Sequence, residues 1–124
     1  MKKILGFFIV LISFSFPLLA QWDQVYAESY GMSIVKKGNK YGFIDKNGNV
    51  TIPVIYDLVY SFKNDKYTVV QNDGKQGCVN KNGEIIVPIK YNKIQKSQPN
   101  GAAVVYLNDK QGCIDIYGNL FIGC

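Results

Sequence analysis

The residues best suited to catalysis or cation binding are two aspartates, Asp45 and Asp115, which hold the same place in a motif that occurs three times. Stacked copies of the motif could line up these carboxylates, which would then bind a cation or act as general acid and base. The remaining copy has Asn80 at this place, and Asp or Asn at the first position of a tight turn accepts hydrogen bonds from backbone amides of that turn. Because an uncharged amide performs the same task, the sequence favours turn capping over catalysis.

The residue types that enzymes and metal sites use most are scarce in this chain. There is no histidine, the commonest general base and metal ligand in proteins. The three cysteines, Cys78, Cys113 and Cys124, lack the paired spacing of a zinc site and have no histidine to activate a nucleophile. No glycine-rich loop has the pattern that binds phosphate at the start of a helix. We therefore expect no catalytic residues, no metal site and no cofactor, and an enzyme using Asp45 and Asp115 is the least favoured hypothesis.

Two of the cysteines occupy one position of the repeated motif. Cys78 and Cys113 stand where another copy has Phe43, and this apolar equivalent indicates small packing residues. Neighbouring copies could nonetheless bring the two sulfur atoms together, and disulfides are common in exported proteins. Cys78 and Cys113 are therefore a candidate disulfide, with simple packing as the alternative.

Residues 1–20 differ in composition from the rest of the chain and predict a signal peptide. Two lysines precede an apolar run over residues 4–16, and Pro17 and the small residue Ala20 follow. A membrane-spanning helix needs about 20 apolar residues, so an uncleaved anchor is the weaker alternative. We expect cleavage after Ala20, with a second possible site after Ala27. We also expect no membrane span in residues 21–124 and a mature chain in the periplasm, at the cell surface or in the medium.

The charge of the chain gives little support to a nucleic-acid partner. Removal of Lys2 and Lys3 with the signal peptide lowers the formal net charge from +5 to +3. All basic residues are lysines, whereas planar recognition of phosphates and bases usually requires arginine. We therefore expect no nucleic acid among the partners.

The chain repeats itself with a period of 35 residues. The segment KYGFIDKNGNVTIP at 40–53 aligns with KQGCVNKNGEIIVP at 75–88 and with KQGCIDIYGNLFIG at 110–123. Such fidelity indicates three copies of one structural unit. The units cover about residues 21–55, 56–90 and 91–124, and together they form one domain after the signal peptide.

Steric reasoning assigns the turn inside each copy. A two-residue type I′ hairpin at Asn47-Gly48 would need positive φ at both positions, and the third copy has Tyr117 at the first of them. A type I turn followed by a glycine bulge needs only Asp or Asn first and Gly fourth. All three copies meet that requirement, so we predict the bulged turn.

The register set by this turn divides each ribbon into two sides. The facing pairs are Asp45 with Asn49, Ile44 with Val50, and Gly42 with Ile52. One side is then aliphatic in every copy and predicts a core, whereas the other side varies in residue type and predicts a ligand surface. The candidate ligand face consists of Tyr41, Phe43, Asp45, Gln76, Asn80, Gln111 and Asp115.

A further strand precedes each ribbon, so the predicted unit is a three-stranded antiparallel meander. Pro53 and Pro88 are expected to end the last strand. The connectors over residues 56–67 and 91–102 fit either a helical turn or a short fourth strand. Three units are too few for a closed propeller, and one meander buries too little surface alone. We therefore predict an all-β fold in which the three repeats form an open array.

The segments KYGFIDKNGNVTIPVIYD and KQGCVNKNGEIIVPIKYN resemble the WG-repeat family, whose units carry a Trp-Gly pair, an Ile-Asp step, an Asn-Gly turn and a closing proline followed by a tyrosine. The resemblance covers essentially all of residues 34–123. It implies an all-β bacterial repeat protein, often exported, with no catalytic residues to carry over. The name-giving tryptophan is replaced by Tyr41, Gln76 and Gln111 here, so recognition through an indole is not carried over.

The leading functional hypothesis is an exported binding module that presents its variable side to a protein, peptide or glycan. The alternative is a purely structural envelope protein whose copies associate with one another. Recurrence of Tyr56 and Tyr91 one period apart indicates structural packing where each connector meets the next unit.

Overall fold

The computed structural model describes residues 21–96, 102–115, 117 and 119–121, so the predicted signal peptide lies outside the described residues. Within the described part of the chain all regular elements are β-strands, and no helix there is long and apolar enough to cross a membrane. The strands are β1 (Gln24–Val25), β2 (Met32–Lys37), β3 (Lys40–Asp45), β4 (Val50–Tyr56), β5 (Leu58–Val59), β6 (Thr68–Asn72), β7 (Lys75–Val79), β8 (Ile85–Tyr91), β9 (Lys93–Lys96), β10 (Ala103–Leu107), β11 (Lys110–Ile114) and β12 (Leu120–Phe121).

The strands form three antiparallel sheets, and each sheet belongs to one repeat. The orders are β1-β2-β3-β4, β5-β6-β7-β8 and β9-β10-β11-β12, so every sheet is a meander of consecutive strands. The predicted all-β array of three antiparallel repeats is confirmed. Each sheet also has a short fourth strand, β1, β5 or β9. Strands β5 and β9 lie within the connectors over residues 56–67 and 91–102, so a short fourth strand is the alternative found in both.

The turns follow the predicted chemistry. In the first repeat, the amide of Asp45 donates to the carbonyl of Asn49 at 2.9 Å, and the amide of Gly48 donates to the carbonyl of Asp45 at 3.0 Å. Gly48 has a φ of +86°, which is the left-handed conformation that a glycine bulge requires. Gly83 has the same φ in the second repeat, so the bulged turn is confirmed in both.

The predicted register holds only next to the turn. Ile44 pairs with Val50 as expected, but the residue opposite Ile52 is Phe43 and not Gly42. The prediction assumed uninterrupted alternation, whereas two irregularities shift the pairing of β3 with β4. A shift of one residue moves a side chain to the opposite side of the sheet, so Ile52 lies on the side of Phe43.

The larger irregularity is a bulge at Pro53. Strand β4 passes through this proline, and residues 53–55 lie opposite Gly42 alone. A Cβ atom on Gly42 would lie only 2.6 and 2.7 Å from two backbone carbonyl oxygens of β4, so only glycine fits beneath the bulge. The prediction that Pro53 and Pro88 end their strands is wrong. Both prolines are tolerated because β4 and β8 are edge strands, where a missing amide donor leaves no partner unsatisfied.

The bulges also separate the aliphatic residues that were expected to share one side. Val50 and its equivalent Ile85 are 48% and 56% exposed, whereas Ile52 and Val87 are buried. The two predicted sides are therefore not a core side and a solvent side.

Both sides of the middle sheet are buried by the neighbouring sheets. We call the side that carries Phe43 in the first sheet and Cys78 in the second the forward side, and the opposite one the rear side. The first core joins the forward side of sheet one to the rear side of sheet two, through Met32, Phe43, Ile52, Tyr56, Val59, Phe62, Val70 and Val79. The second core joins sheets two and three in the same way, through Tyr67, Val69, Cys78, Val87, Tyr91, Ile94, Ala103, Val105 and Ile114. Each repeat thus completes its core only against the next one.

Aromatic residues hold the first joint together. The rings of Phe43 and Phe62 meet edge to face with centroids 5.2 Å apart, and the hydroxyl of Ser29 donates to the carbonyl of Phe62 at 2.8 Å. Tyr56 and Tyr91 are buried in the first and second core respectively, which confirms their predicted packing role.

Candidate binding groove between the second and third repeats

The seven residues of the predicted ligand face do not form one exposed surface. Phe43 and Gln76 are only 1% and 8% exposed, because the forward side of each sheet packs against the next sheet. Tyr41 is half-buried and borders the first core, whereas Gln111 is exposed. Neither Phe43 nor Gln76 presents its side chain to a ligand, so the predicted face is corrected at these two positions.

The acidic and amide members of that face cap their own turns. Oδ1 of Asp45 accepts hydrogen bonds from the amides of Asn47 and Asn49 at 2.9 and 3.0 Å. Oδ1 of Asn80 and Oδ1 of Asp115 each accept the two equivalent bonds at 2.9–3.0 Å. The hydrogen bond from Asn49 is the main reason that the pKa of Asp45 lies below its ordinary value. These contacts give Asp45, Asn80 and Asp115 the structural task that the sequence favoured.

The predicted disulfide between Cys78 and Cys113 does not form. Cys78 is a buried thiol, whereas Cys113 is disulfide-bonded, so the sulfur bonded to Cys113 is not that of Cys78. The fold explains this result. Ile114 lies in the second core together with Cys78, and Cys113, the preceding residue of β11, therefore points to the other side of the third sheet. A sheet separates the two cysteines.

A groove of about 300 Å³ lies near these turns, at the second joint. Its walls come from a loop before β6, from the bulged turn of the second repeat, from β8, and from the turn of the third repeat. The lining residues are Asp65, Lys66, Asn80, Lys81, Asn82, Ile86 and Tyr117.

Hydrogen bonds to the backbone hold two walls of the groove in place. Oδ1 of Asn64 accepts from the amides of Lys66 and Tyr67 at 2.7 and 3.0 Å, which fixes the loop that carries Asp65 and Lys66. Tyr67 is fully buried and anchors that loop in the second core. On the opposite wall, Asp115 caps the amide of Tyr117 at 2.9 Å. The groove is therefore formed before any ligand arrives.

Charged and aromatic groups alternate across the groove. Nζ of Lys81 lies 2.6 Å from Oδ1 of Asp65, and Nζ of Lys66 lies 5.8 Å from the ring centroid of Tyr117. The hydrogen bond from Lys81, together with the charges of Lys81 and Lys66, lowers the pKa of Asp65. Ile86 adds an apolar, partly buried contact. The arrangement combines an aromatic ring, two ammonium groups and side-chain amides, which is a set that can orient a polar ligand.

Sequence reasoning identified only Asn80 among the lining residues. Tyr117 did carry a usable signal, because the other two copies have Asn47 and Asn82 in the same turn position and no packing requirement explains a large ring there. The walls contributed by Asp65 and Lys66 carried none, since they belong to a connector whose path the sequence did not define.

The sequence model of the WG containing repeat family matches three consecutive segments, residues 19–41, 41–75 and 77–110. No curated protein matches the chain.

Proposed function

The chain belongs to the WG containing repeat family, and on that premise we propose that it is an exported β-repeat binding module that holds a protein, peptide or glycan ligand in the groove at its second joint. The observation that carries this proposal is the exposure of Tyr117. Tyr117 is 65% exposed, whereas the aromatic residues that belong to the two cores are buried. A rigid amphipathic ring at the wall of a preformed groove suits ligand contact, and the fold has no evident need for it.

The groove is of a size that fits part of a polymer or a small molecule. Its volume of about 300 Å³ lies at the lower end of the range for ligand sites, about 300–1,000 Å³. We assign no catalytic role to Asp45 and Asp115, because their carboxylates accept hydrogen bonds from backbone amides of their own turns.

Two observations support export. The residues before Ala20 have the pattern of a signal peptide. In addition, Cys113 is disulfide-bonded, and stable disulfides are typical of extracytoplasmic compartments. Mass spectrometry of the protein recovered outside the cytoplasm tests this part: an N-terminus at Gln21 is expected, and an uncut N-terminus would contradict it.

The binding role is tested by exposing the protein to glycan and peptide arrays and comparing two tyrosine variants. Tyr117→Ala removes the groove ring, whereas Tyr60→Ala removes a ring that is 43% exposed and does not line the groove. We expect Tyr117→Ala to abolish the signal of whichever array member binds and Tyr60→Ala to preserve it. If every signal survives Tyr117→Ala, the groove is not the binding site.

One observation favours the structural alternative. Gln111 is exposed, whereas its equivalent Gln76 is buried against the following sheet. A further repeat supplied by another copy would bury Gln111 in the same way. Light scattering over a concentration series decides between the two functions, since a monomer at all concentrations contradicts assembly by this route.

A further inference from the structure

The groove holds more positive than negative charge. Two ammonium groups, those of Lys66 and Lys81, line it with a single carboxylate, that of Asp65. Lys81 is paired with Asp65, whereas the ammonium group of Lys66 lies over the ring of Tyr117. An anionic group bound beside Lys66 would balance the excess charge and would form a charge-assisted hydrogen bond.

The backbone around the groove does not favour a peptide bound as an added strand. Strand β8 forms one wall through Ile86, and it is an edge strand of the second sheet. Its course is interrupted by Pro88 and by register shifts against β7, so it offers no regular row of donors and acceptors. Recognition by strand addition depends on such a row.

The equivalent surface at the first joint lacks the same set of groups. One period upstream, Lys66 corresponds to Gly31 and Tyr117 corresponds to Asn82, although Lys81 corresponds to Lys46. The combination of a second lysine and an exposed ring therefore exists at the second joint alone among the equivalent positions of the described repeats. A ligand that needs both would bind once per chain.

Resting on the proposed function, we propose that the groove binds an acidic glycan, a sugar chain whose carboxylate contacts Lys66 while a sugar ring packs on Tyr117. A pyranose ring combines an apolar face, which stacks on an aromatic ring, with hydroxyl groups for the amides of Asn82 and its neighbours. The carboxylate distinguishes this ligand from a neutral sugar. The sugar ring, which packs on Tyr117, distinguishes it from a simple anion.

The test uses a short oligogalacturonate, the same oligosaccharide with its carboxylates methyl-esterified, and poly-glutamate, each titrated into the protein by calorimetry. We expect the oligogalacturonate to bind with one site per chain and to weaken as salt rises. Lys66→Gln and Tyr117→Ala should each weaken binding by about tenfold or more. The matched control is Lys75→Gln, because Lys75 is exposed, has the same charge, and lies at the opposite end of β7 from the groove.

Each contrary outcome is informative. Equal binding of the methyl ester would overturn the acidic ligand class, and equal binding of poly-glutamate with the same Lys66→Gln loss would assign the groove to acidic peptides. Absence of oligogalacturonate binding, or an equal loss with Lys75→Gln, would also overturn the proposal. If only the acidic-glycan proposal is wrong, a Tyr117-dependent signal remains on the arrays. If the groove is not a binding site at all, no array signal depends on Tyr117, so the two failures are distinguishable.

Discussion

The side-chain oxygen Oε1 of Gln76 accepts a hydrogen bond from the backbone amide of Ile94 at 2.7 Å, and this bond crosses from the second repeat to the third. Nε2 of Gln76 donates to Oε1 of Gln71 at 2.9 Å, so both ends of the amide are used. Ile94 lies in β9, the edge strand of the third sheet. A side chain of the second repeat therefore satisfies a buried donor that the third sheet leaves open.

Replacement of Gln76 by alanine should weaken the second joint. It leaves the buried amide of Ile94 without its acceptor, which costs about 1–3 kcal/mol of the free energy of unfolding. Gln111→Ala is the matched control, because Gln111 holds the same repeat position but is exposed. Urea unfolding should show a clear loss for the first variant and almost none for the second, and equal losses would contradict this account of the bond.

Substitution of Gly77 by alanine should destabilise the second sheet. The new Cβ atom would lie 2.6 Å from the carbonyl oxygen of Val87, so the strands must separate, at a cost of about 1–3 kcal/mol. Gly74→Asp is the control. Gly74 has a φ of +77° and open space around it, and Asp109 adopts a φ of +68° at the equivalent position. Thermal unfolding should therefore separate the two variants, and a neutral Gly77→Ala would argue against a tight approach.

The turn carboxylate of Asp45 should make part of the stability depend on pH. Hydrogen bonding to the amide of Asn49 lowers the pKa of Asp45 below 3.8 in the folded chain. A carboxyl group whose pKa is lower in the folded chain than in the unfolded chain stabilises the fold above the unfolded value, and this stabilisation is lost as pH falls through the folded value. Unfolding measured between about pH 5 and about pH 1 should show this loss.

Asp45→Asn should reduce that pH dependence while keeping the cap, because Asn80 caps the second turn without a charge. Asp45→Ala should lower stability at neutral pH as well. Asp57 and Asp65, whose pKa values are lowered by Lys40 and Lys81, leave a residual dependence of the same sign in both variants. An Asp45→Asn variant that retains the full pH dependence would exclude Asp45 as its source.

The two described cysteines should differ in reactivity. Cys78 is fully buried, so a thiol reagent should modify it only after the chain unfolds. Cys113 should remain unmodified in denaturant until a reductant cleaves its disulfide. Peptide mapping by mass spectrometry after each treatment reads both sites. Rapid labelling of Cys78 in the native protein would mean that the second joint opens readily.

The sequence predicted those features that depend on local sterics. The bulged turns follow from Asp or Asn in first place and Gly in fourth, since few other conformations satisfy both. The register beyond them did not follow, because alternation assumes uninterrupted strands and the bulge at Pro53 breaks that assumption. Gly42 and Pro53 recur as Gly77 and Pro88 in the second copy, and a glycine facing a strand proline was the available sign of a bulge.

The position of the binding groove could not be predicted for a different reason. Its walls are residues far apart in sequence, and their proximity depends on how one sheet stacks on the next. The sequence shows one aliphatic side and one variable side on each ribbon, and this difference predicts that the first faces the core and the second faces solvent. In the structure both sides of the middle sheet face a neighbouring repeat, and Phe43 and Cys78 each lie in the core of a joint, so their difference reflects the packing of two different joints.

Because the forward side of one repeat always meets the rear side of the next, the array has a built-in direction of growth. Duplication of the whole second repeat would again place a forward side against a rear side and would require no newly evolved interface. Duplication of a fragment would bring together two surfaces that do not pack in any existing joint. Lineages of this architecture should therefore gain or lose length in whole-repeat steps, and an added copy would also add a groove whose walls can diverge independently.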